Sequence, residues 1–348
     1  MMNNKKCKIF IVFFFLICMI PSVGLCFFGS SDPAANEILS AQPRLNKPDG
    51  SLNQDFFQDA ADWFDDRFFL RQRLSSLWAE LNAFLFQTSV RDNVILGKNG
   101  WLYFGDTLND YCGVPLSDEV ICASARHLSE IWKCCRENNI QFVFTVAPNK
   151  NSIYPENMPS GFPMGDSGNV SRLYTELEKQ GIPYINLHEE LRNSEETLYF
   201  HADSHWNAKG AALAADAILT SLGVNSGYSS SEFGEGALHY GDLSEMLFPA
   251  EKAAESDFIY FPGFTFRPVT DSRDGNAIEF STKCSVGKGK LLCFRDSFGK
   301  ALYPYLAEQF AEADFSRSTD YDLQRIRDGQ YDVVILEIVE RNISWLAR

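Results

Sequence analysis

The sequence predicts an α/β protein in which a parallel sheet is covered on both faces by helices. Two observations carry this. Helical and strand-like segments alternate along the 348 residues, and the strand segments are unbroken apolar runs, the pattern of strands buried on both faces. A third bounds it: 45% hydrophobic and 22% charged residues describe an ordinary globular chain long enough for a sizeable core.

Residues 1–28 read as a signal peptide or an N-terminal membrane anchor. Basic residues precede the apolar run "IFIVFFFLICMI", which is of signal-peptide length; continued to Phe28 it reaches spanning length. Residues 29–55, rich in Pro, Asn and Asp, read as a linker to a domain over 56–348. There "FFQDAADWFDDRFFLRQRLSSLWAELNAFLF" has helical spacing, and "VILGKNGWLYFGD" reads as a strand pair turning at Asn99-Gly100.

The alternation follows. "DEVICASARHLSEIWKCCRENN" is a helix and "IQFVFTVAP" a buried strand; "NVSRLYTELEKQG" is a helix stopped by Gly181, and "IPYINL" a short strand. "AKGAALAADAILTSLG" is a helix capped by Asn207 and ended by Gly223. "KLLCF", "SFGKALYPYLAEQF" and "YDVVILEI" supply a last strand, helix and strand. Between them, about 223–289, a Gly/Ser/Pro/Phe-rich stretch reads as an irregular insertion over one end of the sheet.

Composition also excludes functions. A formal net charge of -15 leaves no Lys/Arg surplus for nucleic acid or for a polybasic membrane surface. Nine cysteines occur without a CxxC pair, which excludes a zinc ribbon. Cys112 and Cys122 bracket a turn-rich stretch and can close a local disulfide; buried thiols are the alternative.

The chemistry-bearing stretch is "YFHADSHWN", Tyr199–Asn207. On a helix Asp203 and His205 would point apart, but in an extended loop they share a side. The carboxylate then fixes the imidazole tautomer and leaves the other ring nitrogen as a base. Ser297, between the strand "KLLCF" and a helix, is the candidate nucleophile, inert without such a base. Its backbone N–H at the helix start can stabilise an oxyanion. The plain alternatives are a helix cap for Ser297 and a capping turn for Asp203. A metal site through His201, Asp203 and His205, with His239 as a fourth group, also stays open.

"ADSHWNAKGA" and "FRDSFGKALYPYLAEQF" together resemble the AlgJ/AlgX alginate O-acetyltransferase group and its DHHW-type, SGNH-hydrolase-like relatives. "FDDRFFLRQRL", "LGKNGWLYFGD", "VAPNKNSIYPENMP", "HYGDLSEML" and "YDVVILEIVERNISWL" match in the same order, so the resemblance runs from about Phe56 to the C-terminus. It implies an SGNH-hydrolase-like fold with Ser297 as nucleophile, His205 as base and Asp203 as orienting acid. It also implies acetyl transfer to an exopolysaccharide, without cofactor or metal, at the periplasmic or outer face of the inner membrane. Tyr303 and Arg341 match family site positions, Arg341 with a structural salt bridge as its alternative. Lys150 and Tyr154 are groove candidates with solvated loop positions as theirs. Arg295 stands where many relatives have glycine, and is expected to bind an anionic acceptor or to obstruct the oxyanion pocket. Ending at the last domain element, without the carbohydrate-binding module of the AlgX branch, implies an AlgJ-like role beside a membrane-bound O-acyltransferase. An acetyl esterase with the same triad and a non-catalytic export scaffold are the competing expectations.

Overall fold

The structure, a computed structural model, describes residues 4–30, 38–165, 168–251, 253–261, 263–269, 275 and 277–347. Residues 31–37 of the expected linker, the first three of the leader and several positions of the insertion lie outside the described residues. The chain divides into two compact units, Met1–Val94 with Asp242–Ala253, and Ile95–Gly241 with Ala254–Arg348.

The first unit is helical. The helix Asn4–Phe28 contains the stretch Lys6–Phe28, long and apolar enough to cross a membrane and almost entirely unburied. Helices Phe56–Asp65 and Arg71–Phe86 follow. Ser40 is tied to them, its N–H donating to Asp66 Oδ2 and its carbonyl accepting from Arg67 Nη2. Residues 242–253 join through the Ala250 N–H, which donates to Ser76 Oγ.

The strands, in chain order, are β1 (Val94–Leu96), β2 (Leu102–Phe104), β3 (Gln141–Ala147), β4 (Tyr184–Ile185), β5 (Phe233–Tyr240), β6 (Ala254–Tyr260), β7 (Arg267–Pro268), β8 (Glu279–Lys283), β9 (Lys290–Phe294), β10 (Glu312–Ser316) and β11 (Val333–Val339). Asn99 and Gly100 both take positive φ, 55° and 81°, as a tight β1–β2 turn requires.

The second unit is built on a seven-stranded sheet of order β4-β3-β11-β9-β10-β8-β7. Its first five strands are parallel, as expected; β8 and β7 add antiparallel at one edge and make the sheet mixed. Side chains alternate between two cores. Val143, Leu291, Cys293, Val333 and Ile335 face one core, which helices Ala208–Ser221 and Gly299–Gln309 cover. Phe142, Phe144, Leu292, Phe294, Val334 and Leu336 face the other, covered by Asp118–Glu137 and Asn169–Gln180. Continuous apolar strands thus reflect two buried faces.

Two expectations change. The insertion is not irregular throughout: β5 and β6 form an antiparallel pair with a bulge between Glu235 and Leu238, and β7–β8 form the sheet edge. Cys112 and Cys122 are not bridged, and all nine cysteines are free. Cys122 lies on the exposed side of its helix, whereas Cys112 is half-buried at the end of Leu108–Tyr111.

Candidate active site

Parallel strands end together, and the loops after β9, β11 and β3 gather the candidate residues. The loop after β4 and its helix contains residues 199–206, closed by an antiparallel bridge between Tyr199 and Trp206. Asn207 then caps helix Ala208–Ser221, accepting from the N–H groups of Lys209 and Gly210. Within the loop Asp203 Oδ1 accepts from the His205 backbone N–H at 2.8 Å and lies 2.6 Å from His205 Nδ1. Imidazole and carboxylate therefore share one side of a turn.

Three groups hold that loop from outside. Buried Lys150 donates from Nζ to the carbonyls of Phe200, His201 and Asp203 at 3.0, 3.0 and 2.6 Å. Glu255 on β6 accepts from the N–H groups of His201 and Ala202 at 2.8 and 2.6 Å. His239 on β5 places Nε2 2.8 Å from Asp203 Oδ2 and stacks on Phe200. Asp203 is thus gripped by two imidazoles. Burial would raise its pKa, but hydrogen bonds from His205 and His239 outweigh it and hold the carboxyl well below its usual range.

Ser297 stands in the turn between β9 and helix Gly299–Gln309. Asp296 shapes that turn: Oδ1 accepts from Phe298 N–H at 2.9 Å and Oδ2 from Val339 N–H, at the end of β11, at 2.7 Å. Its own N–H donates to Glu337 on β11. Burial first, then the Asp296 carboxylate, pushes Glu337 well above the usual carboxyl range. Trp206 Nε1 donates to Phe298 O at 3.1 Å, joining the two loops. The helix start has no side-chain cap, so the hydroxyl of Ser297 is not spent on capping. It lies 2.8 Å from His205 Nε2, across 92 residues of chain.

With Nδ1–H donating to Asp203, His205 Nε2 is the acceptor for the serine O–H, the arrangement that general-base activation needs. His201 turns its Nδ1 to Glu255 at 2.9 Å, so His201, Asp203 and His205 do not converge.

The other candidates fall in different places. Arg341 lies over the rings of Phe104 and of Phe298, the chain neighbour of Ser297, 5.2 and 5.6 Å from their centroids. It makes no ion pair among the described residues, so the salt-bridge alternative is not what holds it. Lys150 is neither a groove lining nor solvated: it is buried and supports the Asp203 loop. Tyr154 is structural, its hydroxyl accepting from Leu198 N–H and its ring against Trp101. Arg295 is buried, with Nη2 donating to Gly275 O at 2.7 Å and Ala277 O at 3.1 Å. Its guanidinium is committed to backbone carbonyls, so it is not the free cation expected to bind an anionic acceptor. Tyr303 is half-buried, its ring packed against those of Phe266, Phe280 and Phe315 at the margin of the core.

Sequence reasoning missed His239, Glu255 and Asp296 as groups holding these loops. Only "HYGDL" marked His239 in advance, and no local pattern says which carboxylate it meets.

A family model described as the SGNH hydrolase-like domain of acetyltransferase AlgX matches residues 94–277, more than half of the chain, including Asp203 and His205. The probable alginate O-acetylase AlgJ of Pseudomonas syringae pv. tomato is 25% identical over 167 residues, 47% of this chain and 42% of that protein. That of Azotobacter vinelandii is 24% identical over 193 residues, 53% of this chain and 49% of that one. The chain thus spans about half the length of these relatives. Among solved structures, Bacillus cereus PatB1 with a sulfonyl adduct superposes with TM-score 0.59 at 18% identity, covering 72% of this chain and 96% of that one. A DHHW family protein from Eubacterium siraeum gives 0.53 at 16%, covering 72% and 95%. These two show a shared fold.

Proposed function

The chain belongs to the family of SGNH hydrolase-like domains typified by acetyltransferase AlgX, and from that premise we propose that it is an O-acetyltransferase acting on an exopolysaccharide through Ser297, His205 and Asp203. One observation carries the proposal: Ser297 Oγ, His205 and Asp203 form one hydrogen-bonded chain, 2.8 Å and then 2.6 Å. The names of the AlgJ relatives support acetylation of a polysaccharide.

In the proposed reaction His205 Nε2 takes the Ser297 proton as Oγ attacks the acetyl carbonyl of the donor. The tetrahedral oxyanion collapses, the donor alcohol or thiol leaves with the proton from His205, and acetyl-serine remains. A sugar hydroxyl then gives its proton to His205 and attacks the acetyl-serine; Ser297 departs and recovers a proton from the imidazole. Asp203 stays ionised, holding the tautomer and stabilising the imidazolium. Arg341 is the proposed contact for donor or acceptor beside Ser297. The apolar helix Lys6–Phe28 supports an extracytoplasmic site, as secreted or anchored protein, beside a membrane-bound O-acyltransferase that supplies acetyl groups. Hydrolysis is the second reading, because the His205 side chain is 25% exposed and water has a path to the acyl-enzyme.

The test uses a chromogenic acetyl ester with and without an oligosaccharide acceptor. Acetyl transfer that depends on acceptor, with one acetyl group trapped on Ser297, supports the transferase. Release that ignores acceptor supports the esterase. Equal rates for wild type and Ser297→Ala would leave only a scaffold.

A further inference from the structure

A cavity of about 580 Å³ lies at the carboxyl ends of β4, β3 and β11, lined by Asp110, Asn151, Asn169, His188, Arg192 and Glu340 among others. Its size suits one or two sugar rings. None of these residues belongs to the Ser297–His205–Asp203 chain.

The polar inventory of its wall points to a ligand. Asn151 is 1% exposed and donates from Nδ2 to Thr107 Oγ1 at 2.8 Å, yet its Oδ1 has no partner among the described residues. His188 engages Glu340 Oε2 through Nε2 at 3.0 Å, and its buried Nδ1 likewise has none. Buried polar atoms are rarely left so. Both atoms are covered, and once a small shift of the wall opens them a hydroxyl group, donor and acceptor at once, can serve either.

Charge narrows the class. Asp110, Glu189 and Glu340 face the cavity against one guanidinium, that of Arg192, which already donates to Ser152 O. Phosphate and uronate ligands are therefore disfavoured. A metal ion is disfavoured too. Asp110 Oδ1 and Oδ2 accept from the side-chain amides of Asn169 and Asn149, and Glu340 Oε2 accepts from Asn149 N–H. Tyr111 and Tyr174 add aromatic surface.

We propose that this cavity is an accessory binding site for an uncharged sugar unit, holding a carbohydrate chain away from the reacting hydroxyl. Two short segments join it to the proposed catalytic loops. Asn151 lines the cavity and Asn149 donates to Asp110 in its wall, while Lys150 between them supports the Asp203 loop. Glu340 lines the cavity while Arg341 lies over Phe298. Only the identification of that chain as the acetylated polymer rests on the proposed function; sugar binding itself does not.

The full chain carrying Ser297→Ala is titrated calorimetrically with neutral β-1,4-linked tetramers of glucose and of N-acetylglucosamine, and with a uronate tetramer. Saturable binding of a neutral tetramer, weakened about tenfold by Asn151→Leu, as expected for one lost hydrogen-bonding group, supports the site. Ser171→Trp, at an exposed helical position on the rim, must weaken it similarly and covers the case that Asn151→Leu does not fold. No saturable binding, tighter binding of the uronate, or indifference to Ser171→Trp overturns it. Acetyl transfer by the wild type is measured separately, so loss of transfer with retained sugar binding counts against the catalytic proposal alone.

Discussion

At the scale of single residues, the positions around Asp203 act through electrostatics that can be measured. Lys150 sends its ammonium group to three carbonyls of the Asp203 loop from a buried position. Hydrogen bonds to a charged group contribute about 1.5–3 kcal/mol each, so Lys150→Met is expected to cost at least about 2–3 kcal/mol of stability, read from denaturant midpoints. Activity should fall further than stability accounts for, because the loop that aims His205 loosens. His239 gives a pH signature. Asp203 has a native pKa below its unfolded value of about 3.9. It therefore stabilises the fold above that value, and the contribution is lost as pH falls through the native pKa. His239→Ala removes one of the two hydrogen bonds that lower it. The expected Tm gap between wild type and variant is full near pH 5 and closes only as pH falls below about 3.9 through the lowered native pKa of Asp203; a gap unchanged down to the lowest pH at which both proteins stay folded would refute the role. Asp203, His205 and Ser297 were legible as types because each chemistry needs a specific side chain. Lys150 was not, since a lysine in a strand-end loop is ordinarily solvated and nothing local announces its burial.

At the scale of elements, the turn after β9 depends on close packing. A Cβ at Gly299 would lie 2.5 Å from both Cβ and Cδ of Arg295. Gly299→Ala is therefore expected to cost about 1–3 kcal/mol by overpacking. By displacing Ser297 it should lower acetyl transfer by up to about a hundredfold. Thermal melts and rates on one preparation check both. Strands β3, β9 and β11 were legible because both their faces are buried, which writes an unbroken apolar run. Strand β10 was not. Its Glu312, Asp314 and Ser316 interrupt any apolar run, but it pairs with β9 and β8, and Asp314 finds Ser281 and Tyr331. Partners supplied from distant segments make those polar residues affordable in a sheet.

At the scale of the whole molecule, the net charge of -15 acts on any charged polymer that approaches. With an acidic oligosaccharide as acceptor, kcat/KM is expected to rise with salt as the screening length shrinks from about 30 Å at 0.01 M to about 10 Å at 0.1 M. A neutral acceptor should show little change, and equal salt responses would remove long-range charge from the account. Taken by itself, the sequence determined the α/β class, the order of the main elements, the apolar leader and the family, because burial and helix or strand periodicity are written locally. Only the tertiary structure decided that an imidazole and a hydroxyl 92 positions apart meet at 2.8 Å. It alone turned Arg295 and Lys150 inward to backbone carbonyls and set His239 against Asp203. Such meetings depend on strand order and on which polar groups find partners once water is excluded, and neither is contained in any short stretch of chain.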